Sequence, residues 1–111
     1  MDGKMLGKID YAEFGTIKDY PFMMGLILGF SLNGGRWGVM SSSKFCINIS
    51  SDCNWNSKAE RSRAITVMVD NVAKILEDAK VQYVSELKNI PVEVTVDHNM
   101  FKDFRVLTEV L

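Results

Sequence analysis

Between Lys58 and Ala79 the apolar residues Ile65, Met68, Val69, Val72, Ile75, Leu76 and Ala79 recur at helical spacing, while Asp70, Asn71, Lys74, Glu77 and Asp78 lie mostly away from them. Such a stripe predicts one long amphipathic helix over 58–79. Ser57 followed by Glu60 supplies a capping box at its start. A lone amphipathic helix cannot bury its stripe against itself, and the rest of the chain is patterned for strands. The helix therefore has to lie on the apolar face of a sheet.

The strand that best fits that role runs up to Leu32. Phe22, Met24, Leu26, Leu28, Phe30 and Leu32 fall on one face, and Met23, Gly25, Ile27, Gly29 and Ser31 on the other. Before it, Gly7 to Thr16 mixes Ile9, Tyr11, Ala12 and Phe14 with charges, as a strand does. Lys18 to Pro21 reads as a turn. After it, Asn33-Gly34 is the signature of a two-residue hairpin turn. That turn would set Phe30 opposite Trp37, Leu28 opposite Val39, Gly29 opposite Gly38 and Ser31 opposite Arg36. A three-residue loop with a bulge at Gly35 is the competing geometry. Phe45, Ile47 and Ile49 alternate and either continue the third strand or form another.

Beyond the helix, VSELKN suggests a short helical turn stopped before Pro91, and Val92, Val94 and Val96 alternate with polar residues. Asp97 to Asn99 is a turn, and Phe104 to Leu111 a last strand running to the C-terminus. That strand is apolar on both sides, so it calls for a central place in the sheet or for burial in a homodimer. The expected fold is a single α+β domain over residues 1–111. It has one antiparallel sheet of about five strands, in the chain order β-β-β-α-β-β, with the helix across a face.

Composition excludes several functions. Thirteen basic and fourteen acidic residues leave a net charge of −1, with no global excess to drive duplex nucleic-acid binding. The most apolar run is about half the length a bilayer requires and holds two glycines, so no membrane partner is expected. The N-terminal residues lack the apolar core of a signal peptide. Cys46 and Cys53, the only cysteines, read as reduced thiols. With the single histidine, His98, they cannot readily build a zinc site, and no motif joins His98 to a nucleophile. Carboxylate pairs such as Asp10 with Glu13, or Asp103 with Glu109, read as solvated faces. No catalytic residue, metal or cofactor is expected.

Two places remain where a partner can dock. The Ser31–Met40 stretch lacks both the P-loop and the dinucleotide-binding glycine patterns, so its glycines belong to a hairpin. They leave a face, at Gly25, Gly29 and Gly38, open to close approach by a backbone, a helix or a flat ligand, with Arg36 on the same side. The start of the long helix is the second place. Trp55 can stack on a base, and Lys58, Arg61 and Arg63 in the first two turns can meet phosphate beside the helix N-terminus.

Two segments resemble a family of small, mostly uncharacterised proteins of bacteriophages and prophages of Gram-positive bacteria. They are KIDYAEFGTIKDYPFMMGLILGF with the following GGRWGV, and LEDAKVQYVSELKNIPVEVTVDHNMFKDFRVLTEVL. The likeness covers both ends but not the middle, SSSKFCINISSDCNWN, and the second segment is the more specific. The resemblance implies a host bacterial cytoplasm and names no catalytic residues. Small phage accessory proteins often act by binding, as inhibitors of host defence or as sponges for nucleotide immune signals. The expected function is sequestration of a nucleotide-derived signal by Arg36, Trp55, Lys58, Arg61 and Arg63, in a homo-oligomer. The alternative is a protein–protein inhibitor of a host defence complex, of anti-CRISPR type, acting through a sheet edge or the glycine-paired face. A structural or regulatory phage protein without a ligand is the third reading.

Overall fold

A computed structural model describes residues 3–32, 39–50 and 58–111, with the backbone alone over 39–44. Among the described residues the elements are β1 (Gly3–Ile17), β2 (Tyr20–Leu32), β3 (Val39–Asn48), α1 (Lys58–Ala79), β4 (Pro91–Asp97) and β5 (Met100–Val106). Short 3₁₀ turns occupy Val84–Leu87 and Thr108–Val110. All strand pairs are antiparallel, in the spatial order β3-β2-β1-β4-β5. This is the expected α+β arrangement, with one helix crossing one sheet.

The buried side is the one the alternation of β2 pointed to. Leu26, Leu28, Phe30 and Leu32 join Ile9 and the three valines of β4, Val92, Val94 and Val96, and α1 closes over them with Ile75 and Ala79. Opposite residues in an antiparallel pair share a face, and the pairs Ile9–Phe30 and Ala12–Leu28 keep β1 in phase on either side of a bulge at Asp10. Leu87, fully buried, pins the return from helix to sheet.

The sheet is strongly coiled. β2 and β5 stand three strand spacings apart, about 14 Å in a flat sheet. Yet Phe30 on β2 stacks on Phe101 of β5 at 5.2 Å and meets Phe104 at 5.1 Å. Phe45 on the other edge strand contacts Phe104 edge-on at 5.8 Å. The two edges thus curl towards each other, and α1 lies over their mouth.

Lys80 ends α1 in the left-handed conformation (φ 59°). Its N–H donates to the Glu77 carbonyl at 3.1 Å, and Val81 N–H donates to the Leu76 carbonyl at 3.1 Å, the bond pair of a Schellman cap. His98 and Asn99 both have positive φ (52° and 61°) and form the two-residue turn between β4 and β5.

Three strand expectations need correction. β1 begins at Gly3 rather than Gly7, because β4 pairs with it along Gly3–Lys8. The last strand is Met100–Val106, not 104–111. It lies at the edge of the sheet, and the chain leaves it after Val106 in a 3₁₀ turn, with Val110 and Leu111 exposed. The last strand is therefore not central in the sheet.

The β2–β3 register also differs by three residues. Leu28 stands opposite Ser42, Gly29 opposite Ser41, Phe30 opposite Met40 and Ser31 opposite Val39. Asn33 to Gly38 lie outside the described residues. The lower ladder accounts for the shift. Phe45 pairs with Leu26 and Ile47 with Met24, which brings Phe45 onto Phe104. The register expected from Asn33-Gly34 would place Phe45 beside Phe22 at the exposed end instead. Phe45 is partly buried there, and full burial of such a side chain is worth about 1.5–3 kcal/mol, so the ring contacts favour this register.

Candidate ligand-binding cleft

A 22-residue helix is long enough to present two adjoining faces. One carries Ile75 and Ala79 into the core. Next to it run Glu60, Arg63 with Ala64, Val67 with Met68, and Asn71, spaced by three and four so that they form one line. That line faces Phe45, Cys46 and Ile47 of β3 across a cleft of about 390 Å³. Its walls are mostly apolar, and its polar groups are one guanidinium, one carboxylate and one amide. This is the composition of a small-molecule site, in which apolar walls supply burial and a few polar groups fix orientation.

A second depression of about 310 Å³ continues from the first, sharing Phe45 and Asn71 and running between α1 and β5 past Lys74, Asp78 and Arg105. Its charges are already paired. Lys74 Nζ lies 3.2 Å from Asp78 Oδ2, and Arg105 donates to Glu93 at 3.2 Å and to Glu109 at 3.1 Å. Hydrogen bonds to Arg105 hold the exposed Glu109 carboxyl below its usual range. The first lobe is the better candidate.

Cys46 in the cleft wall is a poor nucleophile. Its thiol donates to the Leu26 carbonyl at 3.7 Å, and burial pushes its pKa up, which keeps it protonated at neutral pH. His98 is exposed in its turn, with Nε2 3.6 Å from Asp97. Among the described residues, no three His, Cys, Asp or Glu side chains group to hold a metal ion, and no helix is long and apolar enough to cross a membrane.

Of the residues expected to form the site, Arg63 lines the cleft. Lys58 and Arg61 are exposed on α1 and do not line it. At about 100° per residue they leave the helix roughly 140–200° around the axis from Arg63, so the three cations cannot converge on one phosphate. Arg36 and Trp55 lie outside the described residues. Phe45, Ile47, Val67 and Asn71 were not expected at a site. The only pattern in the sequence that joins Glu60, Arg63, Val67 and Asn71 is their spacing by three and four along the helix.

The glycine-paired face is not bare. Gly29 pairs with Tyr11, and a Cβ at Gly29 would run into three carbons of the Tyr11 ring. At Gly25 a Cβ would meet the backbone of Phe45 and Cys46. The missing side chains make room for the chain's own atoms, so this face offers no floor for a partner at Gly29; Gly38 lies outside the described residues.

Comparison with protein-family models, with curated proteins and with solved structures found no match to this chain.

Proposed function

We propose that this chain is a non-catalytic binding protein that holds a small nucleotide-type ligand in the cleft between α1 and β3. The carrying observation is the cleft itself: apolar walls about 390 Å³ in extent, with Arg63, Glu60 and Asn71 on one helix line. A flat base fits between Phe45 and the Val67–Met68 side. The Asn71 amide can pair with a base edge, Glu60 can accept from a ribose hydroxyl or ring N–H, and Arg63 can meet a phosphate. The resemblance to phage proteins supports a setting in the host bacterial cytoplasm, where such binding would withdraw a defence signal. The protein works there as a homo-oligomer.

The test is thermal shift and calorimetry with a panel of cyclic nucleotides and ADP-ribose derivatives, with native mass spectrometry of protein purified from infected cells. One member of the panel should stabilise the protein, and Arg63→Ala should weaken its binding at least tenfold with little change in the apo melting point. No shift across the panel, and no nucleotide released on denaturation, would refute the reading. Inhibition of a host defence protein is the second reading. It is favoured by an exposed strand edge with its aromatic end at Phe14, Tyr20 and Phe22. Pull-down of a host protein that Phe14→Lys abolishes would support it.

A further inference from the structure

The β1–β2 arm runs past the end of β4. β4 pairs with β1 only along Gly3–Lys8, and the last bonds on that side are Ile9 N–H to the Ile90 carbonyl (3.0 Å) and Asn89 N–H to the Ile9 carbonyl (2.7 Å). From Ala12 to Thr16 the strand pairs with β2 on one side. Among the described residues nothing hydrogen-bonds along its other side.

Open edges are normally blunted by lysine, proline or a bulge. β5, the edge next to β4, has such protection, with a bulge at Lys102 and Arg105 tied to Glu93 and Glu109. Within Ala12–Thr16 there is none: a bulge precedes the segment at Asp10, the pairing with β2 is next irregular only beyond Thr16, and the one charge is Glu13. Phe14 shares a face with the fully buried Leu26 yet is 47% exposed, and Phe22 and Tyr20 extend that apolar end to the hairpin tip. An apolar face continuous with the core thus stops at an unprotected edge.

We infer that a second copy of this chain covers this edge, pairing antiparallel along Ala12–Thr16 across a two-fold axis. The axis runs perpendicular to the sheet, so it keeps the two core faces on one side and sets each residue opposite one of the same face. The charge pattern selects the register. With Phe14 opposite Phe14, Glu13 stands opposite Gly15 and Ala12 opposite Thr16. Sliding by one register step sets Glu13 against Glu13, a like-charge pair. Sliding the other way sets Gly15 against Gly15 and loses the phenylalanine pair. Five paired residues and one aromatic cluster make a small interface, so the dimer has a Kd on the order of micromolar. It is independent of what the cleft holds.

Gly15 gives the test, because a Cβ there meets nothing within 4 Å and its φ is ordinary. Sedimentation velocity of the full chain over a concentration series should show a monomer–dimer equilibrium. Gly15→Glu sets a carboxylate against the partner copy's Glu13 twice and should weaken the dimer about tenfold. Gly15→Lys sets an ammonium there and should tighten it several-fold. Phe14→Lys should give a monomer, with far-UV circular dichroism reporting whether it folds; if it does not, the Gly15 pair decides. A parent chain that stays monomeric throughout, including one that instead captures a host protein by this edge, overturns the inference. So does an oligomer indifferent to the sign of the charge at Gly15.

Discussion

Gly29→Ala is the substitution for which the sequence and the structure give opposite expectations. Read from the alternation of β2 alone, position 29 lies on a bare face, where a methyl group costs nothing and improves strand propensity. In the structure the new Cβ would fall inside the contact distance of three carbons of the Tyr11 ring, and Gly29 itself is buried between Leu28 and Phe30, both fully buried. The backbone cannot move without disturbing those two, so the ring must leave. Tyr11 is half-buried. Lifting it off the sheet exposes about 75–100 Å² of ring, which at about 25 cal/mol per Å² costs about 2 kcal/mol. The mechanism also fixes the coupling. With Tyr11→Ala already in place nothing occupies the space above position 29, and Gly29→Ala should become neutral or slightly stabilising. Urea unfolding of the parent, both single variants and the double variant forms a cycle with a coupling energy of about 2 kcal/mol. Additive effects, or a harmless Gly29→Ala in the parent, would refute the claim that Tyr11 occupies the glycine face.

Lys80→Gly should stabilise the protein by about 0.5–1 kcal/mol in the same assay, since Lys80 holds the left-handed end of α1 at φ 59°. Phe104→Ala should cost about 3 kcal/mol, because its ring joins Phe30, Phe45 and Phe101 where the sheet curls on itself. In a Cys53→Ser background, the iodoacetamide reaction of Cys46 should have its pH midpoint above that of a small thiol. The folded pKa is raised, so the associated stability is present below the unfolded thiol's pKa and lost as pH rises through the folded value. A midpoint at or below the small-thiol value would contradict the burial argument.

What was legible in the sequence was whatever depends on one element and its period. α1 spans Lys58–Ala79 as its stripe required, and the even face of β2 is the floor of the core from Leu26 to Leu32, although Phe22 at the start of the same alternation stays exposed. β4 reads as well, each of its valines falling on the buried side. What was not legible depends on distant partners. Asn33-Gly34 is a local preference, and it yielded to the pairing of Phe45 with Leu26, which is set by a ring on β5 more than fifty residues away. Gly29 looked vacant because the residue that fills it belongs to another strand, one residue past a bulge the periodicity does not mark. The cleft has the same origin. Glu60, Arg63 and Asn71 could be placed on one helix line, but only the coiling of the sheet brings β3 opposite them.

The charges of that cleft restrict what it can bind. Arg63 brings one positive charge and Glu60 one negative, while Lys58 and Arg61 point elsewhere and Lys74 is taken by Asp78. A site with no net charge does not gather a ligand of several phosphates by long-range attraction. Its selectivity has to come from the apolar walls and the Asn71 edge, with one phosphate at Arg63. Two consequences follow for titrations with the nucleotide panel. Affinity should fall only a few-fold between low and physiological salt, as one partly exposed ion contact requires, and added phosphates on one nucleoside should not improve it. Glu60→Gln removes the opposing charge and should raise affinity for the monophosphate while steepening the salt dependence. Strong preference for polyphosphates in the parent chain, or a steep salt dependence, would mean that the ligand sits on the outward cations of the first helical turns and not in the cleft.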